Sequence, residues 1–304
     1  MTHFQVTILG CGSAMPTTYR NPTSQLIEVN EKLFMIDCGE GTQLQMRKQK
    51  AKMSKLHSIF ISHLHGDHVF GLPGLLSTLS LMGRTGELYI YAHKELELFL
   101  MPFIKYFGSQ LSYKITHVHI DPHNHSVIYE NNSIKISAFP LMHRIHTNGF
   151  LIEEKESPRH IKRDMIDFYN IPFTKIKDIK QGADFITNDG KVVDNEILTT
   201  APIPPRKYAY CSDTAYAPSI IPYIKGVDLL YHEATFAEED IARAKQTNHS
   251  TAREAAEIAK QAEVKKLIIG HYSSRYRELD QLHKEAKDVF ENTELAYEGM
   301  KIDI

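Results

Sequence analysis

Apolar and polar residues follow one another in short runs along this chain, with helical spacing between some of the runs. The segments FQVTILG, from Phe4, and LIEVNEKLFMID, from Leu26, have the composition of strands joined by polar turns. The segment GLPGLLSTLSLM, from Gly71, has the spacing of a helix, and ELYIYA, from Glu87, has that of a further strand. Strands that alternate with helices in two successive groups predict two sheets packed between helices, in a single domain over residues 1–304.

A loop rich in histidine follows one of these strands. In HSIFISHLHGDH the apolar run Ile59–Ile61 ends just before His63, His65, Asp67 and His68. Imidazole and carboxylate groups are common ligands of zinc and of other transition metals. A polar surface loop would not need a buried strand to deliver it, so the pattern predicts a metal-binding loop.

Three later strands also end close to a histidine or an aspartate. SIKISAFPLM precedes His143, KYAYCS precedes Asp213, and KKLIIG precedes His271. Each of these residues, taken alone, is more typical of an ordinary buried polar group. One loop cannot surround two metal ions, however, so the three residues together with the histidine loop predict a larger ligand set.

The composition is that of a globular protein with a sizeable core, because 42% of its 304 residues are hydrophobic. The formal net charge of −2 argues against a broadly basic surface, so any contact with nucleic acid must be local. Two basic stretches qualify, Arg47 to Lys55 and Arg159 to Lys180, although each taken alone is more typical of a solvated helix face. The second lies in the loosely patterned, charged region 153–205, which we interpret as an inserted arm.

The three cysteines are widely spaced and form no CxxC pair, which favours a reducing cytoplasm. The N-terminal segment has no basic leader and no cleavage pattern of small residues. The longest apolar stretches, such as Leu72 to Met82, are interrupted and are too short to span a membrane. We therefore expect a cytoplasmic protein that is not embedded in a membrane.

Several segments resemble the ribonuclease Z family of the metallo-β-lactamase superfamily, and they are spread over nearly the whole chain. They are GCGSAMPT from Gly10, MIDCGEGTQ from Met35, HGDHVFGLPGLL from His65, HEAT from His232 and NHSTAREAA from Asn248. The resemblance implies an α/β fold, a four-layer αββα sandwich of the metallo-β-lactamase type with an inserted flexible arm. It also implies a zinc-dependent endoribonuclease that removes the 3′ trailer of precursor tRNA and leaves a 3′-hydroxyl on the tRNA.

The resemblance further implies two Zn²⁺ ions per subunit and a role for each site residue. The ligands are His63, His65 and His143 for one zinc ion, Asp67, His68 and His271 for the other, and Asp213 as the bridge between them. Asp67 is expected to accept a proton from the attacking water, and His249 to stabilise the developing charge or protonate the leaving 3′ oxygen. Glu233 is expected to set the tautomer of His249, and Asp37 to accept the second ring proton of a ligand histidine.

The partner that the resemblance implies is precursor tRNA. Members of the family often form homodimers in which the arm of one subunit holds the tRNA for the active site of the other. Basic arm residues would contact backbone phosphates without reading sequence, and those expected to bind RNA are Arg159, Lys162, Arg163, Lys175 and Lys177. The comparable stretch here, NIPFTKIKDIKQG, departs from the family pattern because it lacks the Gly-Pro signature of many bacterial arms.

Two other functions stay open on the sequence. One is a small-molecule hydrolase of the same fold, such as a cyclic-nucleotide phosphodiesterase or an arylsulfatase, and the other is a non-catalytic metal-binding protein. A second histidine-rich segment, THVHIDPHNHS, contains His117, His119, His123 and His125. No apolar strand ends at this segment, and we expect it to be an exposed polar edge.

Overall fold

Two seven-stranded sheets form the centre of the computed structural model of this protein, which describes residues 3–107 and 111–304. The strands are β1 (Phe4–Gly10), β2 (Ser24–Val29), β3 (Lys32–Cys38), β4 (Leu56–Phe60), β5 (Leu88–Ala92), β6 (Ile115–His119), β7 (Ser126–Glu130), β8 (Ile134–Pro140), β9 (Asn148–Glu154), β10 (His160–Ile161), β11 (Phe185–Ile186), β12 (Val192–Val193), β13 (Thr199–Thr200), β14 (Lys207–Cys211), β15 (Leu229–Glu233), β16 (Leu267–Gly270), β17 (Thr293–Leu295) and β18 (Lys301–Asp303). The helices are α1 (Thr42–Lys48), α2 (Gly66–Val69), α3 (Leu72–Leu81), α4 (Glu95–Phe107), α5 (Arg163–Phe168), α6 (Phe173–Lys180), α7 (Asn195–Leu198), α8 (Ile221–Ile224), α9 (Ile241–Thr247), α10 (Ala252–Gln261) and α11 (Asp280–Lys287).

The first sheet has the strand order β18-β1-β2-β3-β4-β5-β6. Its pairs are antiparallel up to β3 and parallel from β3 to β6, with Met35 opposite Ile59 where β3 meets β4. Parallel neighbours end at the same edge of a sheet. Asp37, near the end of β3, therefore lies beside the histidine loop that follows β4.

The second sheet has the order β17-β16-β15-β14-β9-β8-β7, and its strands from β14 to β17 run parallel. Their shared direction brings Asp213, Glu233 and His271, at or after the ends of β14, β15 and β16, to one edge. Position 270, directly before His271, requires glycine, because a Cβ there would collide with the hydroxyl oxygen of Tyr231.

Aromatic side chains fill the space between the two sheets. Phe60 of the first sheet has its ring centroid 5.7 Å from that of Phe150 in the second, and the rings of Tyr210 and Tyr231 stack at 5.2 Å. All four side chains are buried. This layer holds the two sheets face to face and so brings their site-bearing edges together.

Helices cover the outer faces of both sheets. Apolar residues of α1, α3 and α4 share one buried cluster with the first sheet, and α10 packs on β15 and β16 of the second. At the start of α10 the Thr251 hydroxyl accepts the Glu254 N–H at 3.2 Å, and the Glu254 carboxylate accepts the Thr251 N–H at 2.9 Å. The predicted arrangement of two sheets between helices is confirmed.

Segments 131–135 and 153–206 form a second compact unit. It contains β10 to β13 and α5 to α7, and it has a small apolar core of its own, made of Ile171, Ile179, Phe185, Val193 and Leu198.

None of the helices in the described part of the chain is long and apolar enough to cross a membrane.

Candidate metal centre

The loop after β4 delivers the first group of ligand-type side chains. His63 Nε2 lies 3.0 Å from His65 Nδ1, which in turn lies 3.4 Å from His143 Nε2. Asp213 completes the group, with its Oδ2 atom 3.5 Å from His63 Nε2 and 3.6 Å from His143 Nε2. Four donor atoms from three separated chain segments thus converge on one point, at a spacing that suits a single metal ion.

A second group lies directly beside the first. Asp67 Oδ2 is 3.6 Å from His68 Nε2 and 3.5 Å from His271 Nε2. The other oxygen of Asp213, Oδ1, lies 3.4 Å from His68 Nε2 and 3.1 Å from His271 Nε2. Asp213 therefore turns one oxygen to each group, which is the arrangement of a carboxylate that bridges two cations.

The buried nitrogen atoms of the two groups have the chemistry of metal ligands. Nε2 of His68 and Nε2 of His271 are both buried without a hydrogen-bond partner among the described residues, an arrangement that costs free energy unless a cation accepts their lone pairs. Burial and the neighbouring His68 lower the pKa of His63 to about 4, which keeps its imidazole neutral, as a metal ligand must be.

The carboxylates around His68 also favour a bound cation. Burial opposes a positive charge on this ring, but the carboxylates of Asp37, Asp213 and Asp67 outweigh it and raise the pKa of His68 well above its ordinary value. The pocket therefore stabilises positive charge at its centre, which is the property that a cation site requires.

Asp37 fixes the orientation of the histidine loop. Its Oδ1 accepts the Ser62 N–H at 2.8 Å, and its Oδ2 accepts the Ser62 hydroxyl at 2.8 Å, His68 Nδ1 at 2.8 Å and the Tyr210 hydroxyl at 2.7 Å. The Ser62 hydroxyl can in turn accept His63 Nδ1, at 3.0 Å. Asp37 thus orients two ligand rings so that their Nε2 atoms face the groups.

A matching relay exists in the second sheet. His271 Nδ1 lies 3.0 Å from the Thr235 hydroxyl, which donates to Glu233 Oε2 at 2.6 Å. His143 Nδ1 lies 2.8 Å from the carbonyl oxygen of Asn248. Each of these rings is therefore anchored at Nδ1 and presents Nε2 to the groups.

His249 and Glu233 form a buried pair at the rim of the groups. His249 Nδ1 lies 2.7 Å from Glu233 Oε1, and His249 Nε2 lies 4.0 Å from Asp213 Oδ2. Burial opposes protonation of His249, but the Glu233 carboxylate raises its pKa to about 9. Glu233 is fully buried, so its position is that of a residue that orients His249 rather than one that reaches a substrate.

Two residues of the centre have a backbone conformation that residues other than glycine rarely adopt. Asp37 has a φ of 56° and His271 a φ of 59°, both in the left-handed region. Such conformations cost on the order of 1–3 kcal/mol each and persist only where the surrounding contacts determine them. The hydrogen bonds of Asp37 and His271 provide those contacts.

The histidines outside the groups have other neighbours. His146 is exposed, with its ring centroid 4.6 Å from that of His123, and His125 is exposed and stacked on Tyr223 at 5.1 Å. His119 is also exposed. The expectation of an exposed edge is wrong for His117, whose side chain is only 8% exposed, with Nδ1 3.9 Å from Glu97 of α4.

The basic residues of the arm fall into two classes. Arg163, Lys175 and Lys177 are exposed. The Arg159 guanidinium instead donates to Thr199 Oγ1 at 2.7 Å, and the Lys162 ammonium donates to the Ile197 carbonyl oxygen at 2.8 Å. These last two side chains hold the arm's own segments together.

Sequence reasoning missed the residues that orient the ligands. Ser62 could have been found, because it lies between the end of an apolar run and His63. Thr235 lies in HEAT, but its sequence position gives no sign that its hydroxyl contacts His271. Tyr210 carries no local signal either, since its bond to Asp37 joins residues that are 173 positions apart.

The comparisons with known proteins cover the chain to different extents. A family model of the Anti-Pycsar protein Apyc1 matches residues 4–165, which contain the histidine loop and His143 but end before Asp213. The metallo-β-lactamase fold protein YhfI from Bacillus subtilis has a TM-score of 0.70 at 20% identity, with 99% of this chain and 100% of that chain covered. The human short-form tRNase Z also has a TM-score of 0.70, at 25% identity and with 98% of each chain covered.

The sandwich predicted from the resemblance is thereby confirmed as a metallo-β-lactamase fold. Ribonuclease Z of Parabacteroides distasonis is 55% identical to this chain over 304 residues, which are 100% of both sequences. A likeness of this degree over the full length leaves no part of the chain unmatched, and the chain belongs to the ribonuclease Z family.

Proposed function

We propose that this protein is a metal-dependent endoribonuclease that cleaves precursor tRNA at its 3′ end, releases the trailer and leaves a 3′-hydroxyl on the tRNA. The observation that carries the proposal is the pair of ligand groups that share Asp213. A shared carboxylate suits a hydrolase that uses two adjacent cations on one phosphodiester. The full-length similarity to ribonuclease Z relatives supports RNA as the substrate.

We assign one zinc ion to each group, two per subunit. His63, His65 and His143 would hold the first, and Asp67, His68 and His271 the second, with Asp213 between them. Zinc ions bound there would polarise a phosphate oxygen and lower the pKa of a bound water. The nitrogen and carboxylate donors suit zinc.

We assign the movement of protons to two side chains. Asp67 is held by the Ala14 N–H, which donates to its Oδ2 at 2.7 Å, and we assign to it the orientation of the attacking water and the acceptance of its proton. His249 is held at Nδ1 by Glu233, so its Nε2, 4.0 Å from Asp213 Oδ2, is the ring atom left to face a substrate phosphate. His249 stabilises the developing charge or protonates the leaving 3′ oxygen, and Glu233 keeps it in position.

The second compact unit is proposed as the arm that docks the tRNA. Arg163, Lys175 and Lys177 project as exposed cations, and such side chains bind backbone phosphates without reading sequence. Arg159 and Lys162 are expected to contribute less, because their charged groups already donate within the arm. The small apolar core of the unit fits an arm that carries its own fold.

A homodimer in the cytoplasm is the setting that we propose. Large apolar side chains of α3 and α4 are exposed, among them Leu81 at 86% and Leu98 at 79%. Exposed apolar patches are typical of protein–protein contacts, and these side chains are our candidates for such a patch. The three cysteines are free and buried, which suits a reducing compartment. Light scattering of the purified protein should give twice the 34.8 kDa mass of one chain.

The decisive experiment incubates the purified protein, loaded with zinc, with a precursor tRNA that carries a 3′ trailer. We expect release of the trailer and a tRNA that ends in a 3′-hydroxyl, with the activity lost after chelation and restored by zinc. Bis(p-nitrophenyl) phosphate serves as a small diester in parallel. Hydrolysis of this compound without any cleavage of precursor tRNA would refute the proposed substrate and favour a small-molecule hydrolase.

A further inference from the structure

A groove opens next to His143, on the loop that joins β8 to β9. Its volume is about 610 Å³, within the range of about 300–1,000 Å³ that is typical of pockets for small organic ligands. Its lining includes Met142, Arg144 and Ile145 from this loop and His123 from the facing segment. His143 belongs both to the first ligand group and to the wall of the groove, so the groove begins at the candidate metal centre.

The loop that forms the groove is fixed at several points. The Leu141 N–H donates to the Thr147 carbonyl oxygen at 2.8 Å, which closes the loop at its base. The Met142 N–H donates to Thr214 Oγ1 at 3.1 Å, and the Met142 carbonyl oxygen accepts the Ala215 N–H at 2.7 Å. The apolar side chains therefore line a groove that exists before a ligand arrives.

The lining of the groove combines apolar, imidazole and guanidinium side chains. Met142 is 55% exposed and Ile145 is 38% exposed, although both side chains are apolar. The imidazoles of His123 and His146 meet edge to face, with their centroids 4.6 Å apart, and Arg144 adds a guanidinium. Flat bases stack on apolar and imidazole surfaces, and a guanidinium binds phosphate. The lining is therefore complementary to a single-stranded nucleotide.

We propose that this groove binds the last nucleotide of the mature tRNA, the one whose 3′ oxygen leaves, with its base against Met142 and Ile145. This inference rests on the proposed function and deepens it. Arg144 then binds the phosphate on the 5′ side of that nucleotide. A contact with the face of the base tolerates every base, because each base has a π-face, and this suits an enzyme that must process many different tRNAs.

The position of His249 decides which side of the scissile phosphate enters the groove. The ring centroid of His249 lies 4.9 Å from that of His143, so the proposed acid for the leaving oxygen stands beside the groove. The nucleotide that carries the leaving oxygen therefore lies on the groove side, and the trailer leaves in the other direction.

The test compares two precursor tRNAs, one intact and one with an abasic sugar at the last tRNA position. With the zinc-loaded wild type we expect kcat/KM to fall about ten-fold on the abasic precursor, the effect of losing one stacked base. Equal cleavage of the two precursors by the wild type would overturn the inference without the use of any variant.

The double variant Met142→Ala/Ile145→Ala supplies the second half of the cycle. We expect about a ten-fold loss on the intact precursor and no further loss on the abasic one. Val127→Ala, which shortens another exposed aliphatic side chain outside the groove, is the matched control and should change nothing. Losses from the double variant and the abasic site that simply multiply would contradict a contact between base and groove.

Arg144→Gln separates the phosphate contact from the base contact. It should lower kcat/KM equally on intact and abasic precursors, and it should make cleavage less sensitive to salt. A wild type that hydrolyses the diester but cleaves neither precursor refutes the proposed function, whereas equal cleavage of both precursors refutes the groove alone.

Discussion

Replacing Asp37 with asparagine should weaken zinc binding, although Asp37 is not itself a proposed ligand. The carboxylate is fully buried and receives four hydrogen bonds, one at Oδ1 and three at Oδ2. Asparagine has the same shape but one acceptor oxygen and one NH2 group. A donor must therefore face a donor in either orientation of the amide.

The two orientations differ in what they disturb. If the NH2 group takes the place of Oδ2, the Ser62 and Tyr210 hydroxyls can rotate and accept. His68 Nδ1 can accept only if its proton moves to Nε2, the atom that faces Asp213, and a protonated Nε2 cannot bind a metal. If the NH2 group takes the place of Oδ1 instead, the buried Ser62 N–H loses its acceptor, at a cost of about 1–3 kcal/mol.

We expect zinc affinity to fall about 10–100-fold, the usual effect of removing a group that orients a metal ligand. Competition with a chromogenic chelator measures the affinity, and thermal unfolding with and without zinc measures stability. Tyr210→Phe is the matched control, because it removes one of the four hydrogen bonds but leaves the carboxylate and the tautomer of His68 intact. It should cost about 1 kcal/mol of stability and little zinc affinity. An Asp37→Asn variant that binds zinc as tightly as the wild type would refute the reasoning.

Three further predictions concern other parts of the molecule. Asp67→Ala should abolish cleavage of precursor tRNA while RNA binding, measured by filter retention, stays close to the wild type, since the change removes a proposed ligand and not a phosphate contact; a parallel loss of binding would contradict this. His125→Ala should leave activity unchanged and stability within about 0.5 kcal/mol, because the ring is exposed and stacks on Tyr223 at the surface. Burial raises the pKa of the Cys11 thiol to about 12 and also raises those of Cys38 and Cys211, so iodoacetamide at pH 8 should label none of the thiols in the folded protein and all three after denaturation.

The ligand side chains could be predicted from the sequence because each follows a strand. Apolar runs that stop at His63 or Asp213 announce a strand end, and parallel strands bring their ends to one edge. The same logic distinguishes His143, close to the end of β8, from His146, which lies further along the loop. The structure brings His143 into the first group and leaves His146 at the groove.

The supporting contacts could not be predicted, because they depend on how the two sheets face each other. Tyr210 occupies an ordinary buried position of β14. Its hydroxyl donates to Asp37 because the strand packs opposite β3. The buried side chain of His117 has a similar cause. The alternation of side chains along β6 predicts which face of the sheet His117 lies on. It does not predict that the Glu97 side chain of α4 lies against His117.

The centre depends on both sheets in equivalent ways. In the first sheet a carboxylate, Asp37, reaches a ligand histidine through the Ser62 hydroxyl, and in the second Glu233 reaches His271 through the Thr235 hydroxyl. Each sheet thus orients its own ligands, while Asp213 faces both groups and the bond from Tyr210 to Asp37 joins the sheets. Because each group combines ligands from both sheets, the packing of the sheets decides whether either group is complete. A chain that formed both sheets without this packing would have every ligand in place locally and still could not bind two adjacent ions.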